Sequence, residues 1–391
     1  MSKKIAFLIN SLTNGGAERV LSTIVSSLKQ EGYDVELICL EKENFYTIDN
    51  SIKVTYLSMN NGKQNSIIKM LMLLLFGYKL KKYILKNNIT IVQSHLFRAN
   101  YVNVFAKLFG SKHEVQLVSA VSAVAKYGKR NFSSRINLFL INNLYKYSDI
   151  LIFKAKAMKD EYVHSFKLNN KNIVINNPID LEIIQELKNN SNNCKFNFNN
   201  NKKYILSIGR FHKDKRQIDL IDAFKIVSKK YIDVEIIFLG DGTEKDYLTK
   251  LVQEYKLDNK IHFLGNVENP FYYLSKVYLY ISTSTSEGFP NTLVEAMSCQ
   301  VPVIFTDCRT GPREILDPKN NSNNLLKKKL EKVKYGILVP ERNITEISNA
   351  IEIYLDNNEV YLSYKKKIFK RAKEFSKEKI ILKYKKVLNL D

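Results

Sequence analysis

The feature of this 391-residue chain that most constrains its fold is a repeated alternation of short apolar runs with longer amphipathic ones. "KIAFLIN" and "DVELICL" have the length and composition of buried strands, and the stretch from Ala17 to Gln30 between them has helical spacing. Strands separated by helices of that length form βαβ units with a parallel sheet. The pattern therefore predicts an α/β fold with Rossmann-like units.

The alternation stops once and then restarts. Residues 188–203, "KNNSNNCKFNFNNNKK", are asparagine-rich and aperiodic, which is typical of a linker or surface loop. The chain length also suggests two domains of about 200 residues each. We predict a first domain at 1–185, a linker at 186–202, a second domain at 203–365, and a C-terminal helix at 366–391 that packs back toward the first domain. Such folds bind ligands at the carboxyl ends of their strands, so the expected site is a cleft between the domains.

The composition allows several kinds of partner. Sixty-one Lys and Arg residues against 39 Asp and Glu give a net charge of +22, which could attract nucleic acid, anionic lipid or a phosphorylated substrate. The lysines accompany many asparagines and isoleucines, as an AT-biased genome would produce, so a solvated surface explains the charge equally well. The four cysteines show no CxxC spacing, and they predict reduced thiols rather than disulfides or a zinc site.

The apolar segments are too short to cross a bilayer. No signal peptide is expected, and the longest apolar run, residues 70–78, is below the roughly 18–20 residues that a spanning helix needs. Residues 66–88 are apolar and then lysine-flanked, which fits either an interfacial helix on an anionic membrane or a helix packed on the sheet. With the basic residues of 126–135, this favours a cytoplasmic protein held peripherally on the inner face of the cell membrane.

The stretch "STSTSEGFPN", residues 282–291, is the best candidate for a binding site. It ends a strand and opens a helix near Asn291, where free backbone N–H groups and a positive dipole end suit phosphate or sugar oxygens. Gly288 allows close approach of a ligand and Pro290 fixes the turn. Glu287 and Glu295 could hold different parts of one long ligand, although spacing alone allows equally a loop carboxylate and a helix charge.

The segment "EGFPNTLVEAMSCQVPVI" resembles the E-x7-E loop and helix of glycosyltransferase family 4, whose members are retaining enzymes with the two-domain GT-B fold. The resemblance extends over nearly the whole chain, through the segments "NGGAERVLSTI", "VINNPID", "SIGRFHKDKRQIDLIDAF", "FLGDGTEKDYL" and "HFLGNVENPFYYL". It implies an α/β protein of two Rossmann-like domains with a cleft between them.

The resemblance also implies roles for particular residues. Arg210 and Lys215 would hold the nucleotide diphosphate as it departs, and either Lys213 or Arg216 could substitute for Lys215. Glu287 would bond a hydroxyl of the transferred sugar, so it joins the two cations as a catalytic residue. The donor-binding residues would be Gly288, Phe289, Pro290, Asn291, Thr292, Leu293 and Glu295, with Glu295 on the ribose hydroxyls. Because the chain has no Asp-x-Asp diphosphate clamp, neither a metal nor another cofactor is expected.

Three residues of the first domain are candidates for the cleft. Gly15 and Gly16 precede a helix and could approach the phosphate or the acceptor, while His95 ends a strand and could bond a hydroxyl, although a lone histidine is more often structural. Many relatives carry a histidine at the next strand end, where this chain has Ser119 and Ser122. Either His95 or a serine replaces that contact, or the acceptor side differs.

These inferences predict a retaining, metal-independent glycosyltransferase that moves a hexose or N-acetylhexosamine from a UDP-sugar to a glycan acceptor, lipid-linked or a surface-polysaccharide precursor. The segment "CRTGPREIL" resembles members that use UDP-GalNAc, UDP-GlcNAc or UDP-Gal. A GT-B nucleotide-sugar epimerase, or a phosphorylase of the same fold, is the first alternative. A basic nucleic-acid-binding protein is the second, but the basic residues are scattered and no recognition module is visible, so no nucleic acid partner is expected.

Overall fold

A computed structural model describes residues 3–13, 15–43, 48–59, 66–128, 131–320 and 325–390. The chain forms two compact units, Met1–Pro178 with Glu378–Asp391 and Ile179–Lys377. Each unit is an α/β domain with one seven-stranded sheet in the part of the chain described. The predicted fold class of two Rossmann-like domains is confirmed. None of the described helices combines the length and apolarity needed to span a bilayer.

The first unit alternates strands and helices and has the sheet order β3-β2-β1-β4-β5-β6-β7, with every pairing parallel. Its elements are β1 (Ile5–Ile9), α1 (Gly16–Gln30), β2 (Val35–Cys39), β3 (Val54–Tyr56), α2 (Ser66–Asn87), β4 (Ile91–His95), α3 (Phe97–Leu108), β5 (Glu114–Ser119), α4 (Ala123–Tyr127), α5 (Phe132–Leu144), β6 (Ile150–Phe153), α6 (Lys156–Phe166) and β7 (Lys171–Val174).

The second unit repeats the plan with the order β10-β9-β8-β11-β12-β14-β13, in which the β13–β14 pair is antiparallel. Its elements are α7 (Leu181–Leu187), β8 (Lys203–Ile208), α8 (Gln217–Lys230), β9 (Val234–Leu239), α9 (Lys245–Glu254), β10 (Ile261–Phe263), α10 (Pro270–Lys276), β11 (Leu279–Ser282), α11 (Asn291–Ser298), β12 (Val303–Thr306), α12 (Pro312–Leu316), β13 (Glu331–Val333), β14 (Gly336–Val339), α13 (Ile344–Asp356) and α14 (Asn358–Ala372), followed by α15 (Lys377–Leu388).

Both sheets are buried on their two faces, as parallel sheets require. In the first unit one face packs against α2, α3, α5 and α6, and the other against α1 and α15. Ile380, Ile381 and Tyr384 of α15 share a core with Phe7 and Ile152 of the first sheet. The last helix of the chain therefore completes the core of the first unit.

Asparagine, abundant in this chain, repeatedly supplies the side chain that begins a helix. An asparagine oxygen accepts a hydrogen bond from a backbone N–H of the first turn at α5, α10, α13 and α14. Such a cap contributes about 1 kcal/mol to helix stability. The capping residues are Asn131, Asn269, Asn343 and Asn357.

The segment 186–202, interpreted as a linker from its composition, lies within the second unit. The rings of Phe196 and Phe198 pack edge-on against Tyr204 at centroid distances of 5.4 and 5.2 Å. Asparagine side chains hold the turns around them; for example, Asn190 Oδ1 accepts a hydrogen bond from the Asn192 backbone N–H. Two phenylalanines thus attach this polar stretch to the second unit. The chain passes from the first unit to the second before this stretch, at Pro178–Ile179.

The strand order fixes where a ligand can bind in the second unit. Successive strands are added in opposite directions on either side of β8 and β11, so the switch point of this sheet lies between these two strands. Ligands of open α/β sheets bind beyond the carboxyl ends of the strands at such a point. Here these ends carry the loops 209–216 and 283–290.

Candidate active site

The two loops at the switch point are joined by hydrogen bonds to backbone carbonyl oxygens. The Thr283 hydroxyl donates to the Arg216 carbonyl oxygen at 2.7 Å, and the Thr285 N–H donates to the Asp214 carbonyl oxygen at 2.9 Å. These bonds set the distance between residues that are about 70 positions apart in sequence. The loops therefore form one preorganised surface.

Lys215 and Glu287 meet on this surface. The Lys215 Nζ lies 2.7 Å from Glu287 Oε1, and the two side chains keep 27% and 14% of their exposure. The structure thus brings together two of the three residues that the sequence predicts to be catalytic. The two charges neutralise each other here. An anionic ligand that binds Lys215 would therefore compete with the Glu287 carboxylate for the Lys215 ammonium group.

Arg210 begins the same surface, two residues after β8. Its carbonyl oxygen accepts a hydrogen bond from the Gln217 side chain at 3.0 Å, which fixes the backbone. The side chain is exposed, and its guanidinium has neither a hydrogen bond nor an ion pair to any residue that the structure describes. It is therefore a cation available to a ligand.

The other two basic residues of "HKDKR" differ from Lys215. Arg216 adopts a left-handed backbone with φ of 51° and donates from Nε to Asp219 Oδ2 at 3.0 Å. Burial raises the pKa of Asp219, and the bond to Arg216 opposes that rise. Arg216 therefore serves the start of α8, whereas Lys213 is exposed to solvent. Of these three cations, Lys215 is the one that contacts Glu287.

The turn after Glu287 leads directly into α11. Gly288, Phe289 and Pro290 are buried, and the Phe289 ring packs edge-on against Phe375 with centroids 5.2 Å apart. Asn291 is the first residue of α11, so the positive end of that helix lies next to Glu287 and can stabilise negative charge there. The stretch that the sequence predicts to bind the donor is therefore rigid.

Thr292, Leu293 and Glu295 occupy different environments in the first turns of α11. The Thr292 hydroxyl accepts from the Tyr280 hydroxyl at 2.7 Å, and Leu293 is fully buried in the core. Glu295 is also buried. Burial raises the pKa of Tyr280, and the charges of both Glu287 and Glu295 add to that rise. The two carboxylates of the E-x7-E pattern therefore lie near the same tyrosine, at the end of β11.

The loop after β9 lies very close to the loop after β8. Gly240, just after β9, has φ of +136°, and a Cβ built on it would lie 2.1 Å from the Gly209 carbonyl oxygen. The Phe211 N–H donates to the Asp241 carbonyl oxygen at 2.9 Å. A side chain at position 240 would therefore push away the loop that carries Arg210 and Lys215.

Sequence reasoning did not identify Thr310 and Gly311 as part of the site. The Thr310 hydroxyl donates to the Glu287 carbonyl oxygen. Gly311 has φ of +95°, and a Cβ on it would lie 2.6 Å from Pro290 Cδ. The available signal is the Gly-Pro pair of "CRTGPREIL", which predicts a turn but not its contact with Glu287.

In the first unit, Gly15 lies against a carboxylate. It precedes α1, and a Cβ on it would lie 2.1 Å from Glu18 Oε2, while Thr13 donates to Glu18 Oε1 at 3.0 Å. Gly16 is exposed and has open space around its Cα. A carboxylate at this helix start complements the dipole and repels a phosphate, so this loop suits hydroxyl groups of an acceptor better than a diphosphate.

His95 is buried at the end of β4, with 2% of its surface exposed. Its Nε2 lies 3.2 Å from Gln93 Oε1, and burial together with the charge of Lys154 holds its pKa well below the usual value. Ser119 is buried as well, and Ser122 caps α4 and donates to Glu161 Oε1 at 2.7 Å. Within the first unit these contacts favour structural roles for His95 and Ser122, whereas the buried Ser119 hydroxyl has no hydrogen-bond partner among the described residues.

Lys154 follows β6 and is buried against the C-terminal helix, where its Nζ donates to the Tyr384 hydroxyl. Burial lowers the pKa of Lys154 from 10.5 to about 7. Below pH 7 the lysine is charged in both the folded and unfolded states, so the folded state carries the full cost of the buried charge. Above pH 7 the folded protein releases this proton while the unfolded chain keeps it, so the cost decreases as the pH rises.

Replacing Lys154 with methionine should therefore raise the free energy of unfolding near pH 7 and raise it much less at pH 9.5. Denaturant unfolding at both pH values measures the difference. The exposed Lys229→Met variant is the matched control and should show no such pH dependence. An equal change in the free energy of unfolding of Lys154→Met at both pH values would contradict the assignment.

Comparison with known proteins shows the family of the chain. Residues 14–183 match the family described as Glycosyltransferase Family 4, and residues 189–375 match Glycosyl transferases group 1. A Campylobacter jejuni relative, N-acetylgalactosamine-N,N'-diacetylbacillosaminyl-diphospho-undecaprenol 4-alpha-N-acetylgalactosaminyltransferase, is 31% identical over 381 residues, covering 97% of each chain.

Solved structures with the same fold cover almost the whole chain. Sucrose-phosphate synthase from Thermosynechococcus elongatus has a TM-score of 0.81 at 16% identity, with 99% of each chain covered. The Anabaena protein HepE in complex with UDP has a TM-score of 0.75 at 18% identity, with 99% of this chain and 100% of that chain covered. At such identities these similarities show the fold alone.

Two Rossmann-like units with charged loops at the switch point of the second define a glycosyltransferase of the GT-B class. The chain belongs to glycosyltransferase family 4. The resemblance noted in the sequence is thereby confirmed, and membership favours a transferase over both the epimerase and the nucleic-acid-binding alternatives.

Proposed function

We propose that this protein is a retaining glycosyltransferase that moves an N-acetylhexosamine or hexose from a UDP-sugar to a lipid-linked glycan. The observation that carries the proposal is the Lys215–Glu287 pair, with a cation for the diphosphate and a carboxylate for the sugar held 2.7 Å apart on one surface. The Campylobacter jejuni relative, whose name specifies an acceptor linked to undecaprenyl diphosphate, supports the acceptor class. The complex of HepE with UDP supports the nucleotide.

The residues of the second unit divide the donor between them in this proposal. Arg210 and Lys215 stabilise the negative charge that develops on the diphosphate as the bond to the sugar breaks. Glu287 accepts a hydrogen bond from a hydroxyl of the sugar, and Glu295 accepts from the ribose. Stretches of backbone from Gly288 to Asn291 complete the contact with the sugar.

The same arrangement lets the reaction proceed without a strong enzymic base. The departing phosphate oxygen accepts the proton of the attacking acceptor hydroxyl on the face from which it leaves, so the new bond forms with retained configuration. One guanidinium group and one ammonium group supply the charge that a metal would otherwise provide. The proposed reaction therefore needs neither a metal nor His95 as base.

Among donors, we propose UDP-GalNAc first, with UDP-GlcNAc and UDP-Gal as alternatives, because the Campylobacter jejuni relative is named as an N-acetylgalactosaminyltransferase. Calorimetric titration with UDP, GDP and the three UDP-sugars in the presence of EDTA tests this choice. Binding of one UDP-sugar, followed by transfer to an undecaprenyl-diphosphate-linked glycan with the anomeric configuration kept, is the expected result. Binding that EDTA abolishes, or an inverted product, would contradict the mechanism.

We also propose that α2 contacts an anionic membrane. Leu73, Phe76 and Leu80 are buried in the core of the first unit, so the helix packs on the domain. Its opposite face exposes apolar side chains, with Leu71 at 73%. The other apolar side chains of this exposed surface are Ile68, Leu74, Leu75, Tyr78 and Leu85. One face of α2 thus packs on the domain, as one interpretation of the sequence expects. In this proposal the opposite face lies on the membrane, as the other interpretation expects.

Charge complementarity favours lipid as the occupant of that surface. Exposed lysines, Lys82 and Lys86, follow the apolar residues along α2, as they do in helices that lie at an anionic interface. Such a helix would hold the protein on the inner face of the cell membrane, where a lipid-linked acceptor is presented.

Replacing Leu71 and Leu75 with serine should reduce sedimentation of the protein with phosphatidylglycerol vesicles by about tenfold or more, since each buried leucine contributes roughly 1.5–3 kcal/mol. The Ile232→Ser variant is the matched control, because Ile232 is 79% exposed on the second unit. Unchanged sedimentation of the double variant, or equal loss in the control, would disprove the role of α2.

A further inference from the structure

A loop outside the E-x7-E segment holds the main chain of Glu287. Thr310 lies between β12 and α12 and is buried, with 2% of its surface exposed, and its hydroxyl donates to the Glu287 carbonyl oxygen. The adjacent Gly311 contacts the same turn, because a Cβ on it would lie 3.0 Å from the Gly288 carbonyl oxygen. The two segments therefore touch along their backbones.

The loop that carries Thr310 is itself rigid. Asp307, fully buried, forms a double ion pair with Arg313 at 3.0 and 2.7 Å across the loop. The Asp307 N–H donates to the Val339 carbonyl oxygen at 2.8 Å, which ties the start of the loop to β14. Buried pairs with additional hydrogen bonds hold their surroundings in one geometry. The loop backbone that carries Thr310 is therefore held in one position.

The segment before Glu287 is held from two sides. The Thr306 hydroxyl donates to the Ser284 carbonyl oxygen, while the Ser284 hydroxyl donates to the Asp214 carbonyl oxygen at 3.3 Å. Thr306 and Thr310 thus fix carbonyl groups three residues apart, next to the loop that carries Lys215. The position of the Glu287 carboxylate relative to Lys215 depends on both attachments.

We propose that Thr310 is a positioning residue for Glu287, and that its hydroxyl, rather than its size, sets the place of the Glu287 carboxylate against the donor sugar. The proposal rests on the proposed function, since it assigns Glu287 to the sugar. Without the hydroxyl, the Glu287 carbonyl loses its hydrogen bond and the turn can rotate. A displacement of about 1 Å at a reacting centre costs about 100-fold in rate.

The test compares Thr310→Val, which keeps the shape and loses the hydroxyl, with Thr310→Ser, which keeps the hydroxyl. Transfer from the UDP-sugar and calorimetric binding of UDP are measured for both. We expect Thr310→Val to lower kcat at least tenfold with UDP affinity within twofold of the unchanged protein, and Thr310→Ser to restore kcat to within threefold.

The matched control is Ser298→Ala, which removes another buried hydroxyl that donates to a carbonyl oxygen of the same unit, that of Val294 at 2.7 Å. It should leave kcat unchanged. The inference is overturned if Thr310→Val transfers sugar at the normal rate, if both Thr310 variants lose kcat equally, or if UDP affinity falls as far as kcat. Absence of transfer by the unchanged protein would instead disprove the proposed function.

Discussion

Replacing Glu287 with alanine should lower kcat for sugar transfer by about 100- to 1,000-fold, the range seen when one preorganised contact to a transition state is removed. UDP affinity should not fall, because UDP lacks the transferred sugar whose hydroxyl Glu287 binds in this proposal. The structure sharpens this expectation, since Glu287 is paired with Lys215 in the unliganded protein. Its removal leaves Lys215 free for the diphosphate.

Transfer assays and calorimetric titration with UDP, on the same preparation, measure the two effects separately. Glu254→Ala removes an exposed carboxylate of the second unit and is the matched control. Normal transfer by Glu287→Ala would show that the site is assigned wrongly. A loss of UDP binding equal to the loss of kcat would show that Glu287 supports the loop rather than the sugar.

Replacing Arg210 with alanine should weaken both UDP binding and transfer, with transfer reduced by about 3 kcal/mol or more in transition-state stabilisation. The guanidinium is exposed, has no partner in the described part of the chain, and lies on the loop that carries Lys215. Its removal therefore takes away a contact to the ligand without leaving a buried group unpaired, and the free energy of unfolding should hardly change.

Lys213→Ala is the matched control for Arg210→Ala, because Lys213 is an exposed cation three positions along the same loop. UDP titration at two salt concentrations separates a direct contact from general attraction, which salt screens. Equal loss of UDP affinity in the two variants would show that the loop acts through its net charge. Unchanged affinity in Arg210→Ala would remove Arg210 from the site.

Much of the fold follows from periodicity. The strand runs "KIAFLIN", "DVELICL" and "VEIIFLG" contain β1, β2 and β9, because continuous apolar runs between helical segments are typical of buried parallel strands. The edge strand β13 was not predicted. It lies at the end of the basic segment 318–334, where charged residues conceal the pattern, and it pairs antiparallel with β14. Charged side chains are common on edge strands, because the unpaired backbone groups of such a strand could otherwise pair with another chain and cause aggregation.

Sequence patterns indicate candidate residues that combine a charged side chain with a loop at a strand end. They do not indicate residues whose role depends on a tertiary contact alone. Glu287 and Lys215 stand out as charged residues on loops at strand ends, and they form an ion pair. Thr310 is a neutral residue whose role depends on a carbonyl 23 positions away. His95 shows the opposite case, because a strand end predicts exposure to ligand but the helix α15 contributes to the core on that face of the sheet. The spacing of residues along β4 does not show that α15 covers this face of the sheet.

The place of α15 also bears on how the chain folds during synthesis. Its residues are translated after every other element of the two units, yet Ile380, Ile381 and Tyr384 cover one face of the first sheet. Domains generally fold as units from the N-terminus onward as they emerge. The first unit therefore keeps apolar surface exposed until α15 has been translated, whereas the second unit, which ends at Lys377, can fold before it.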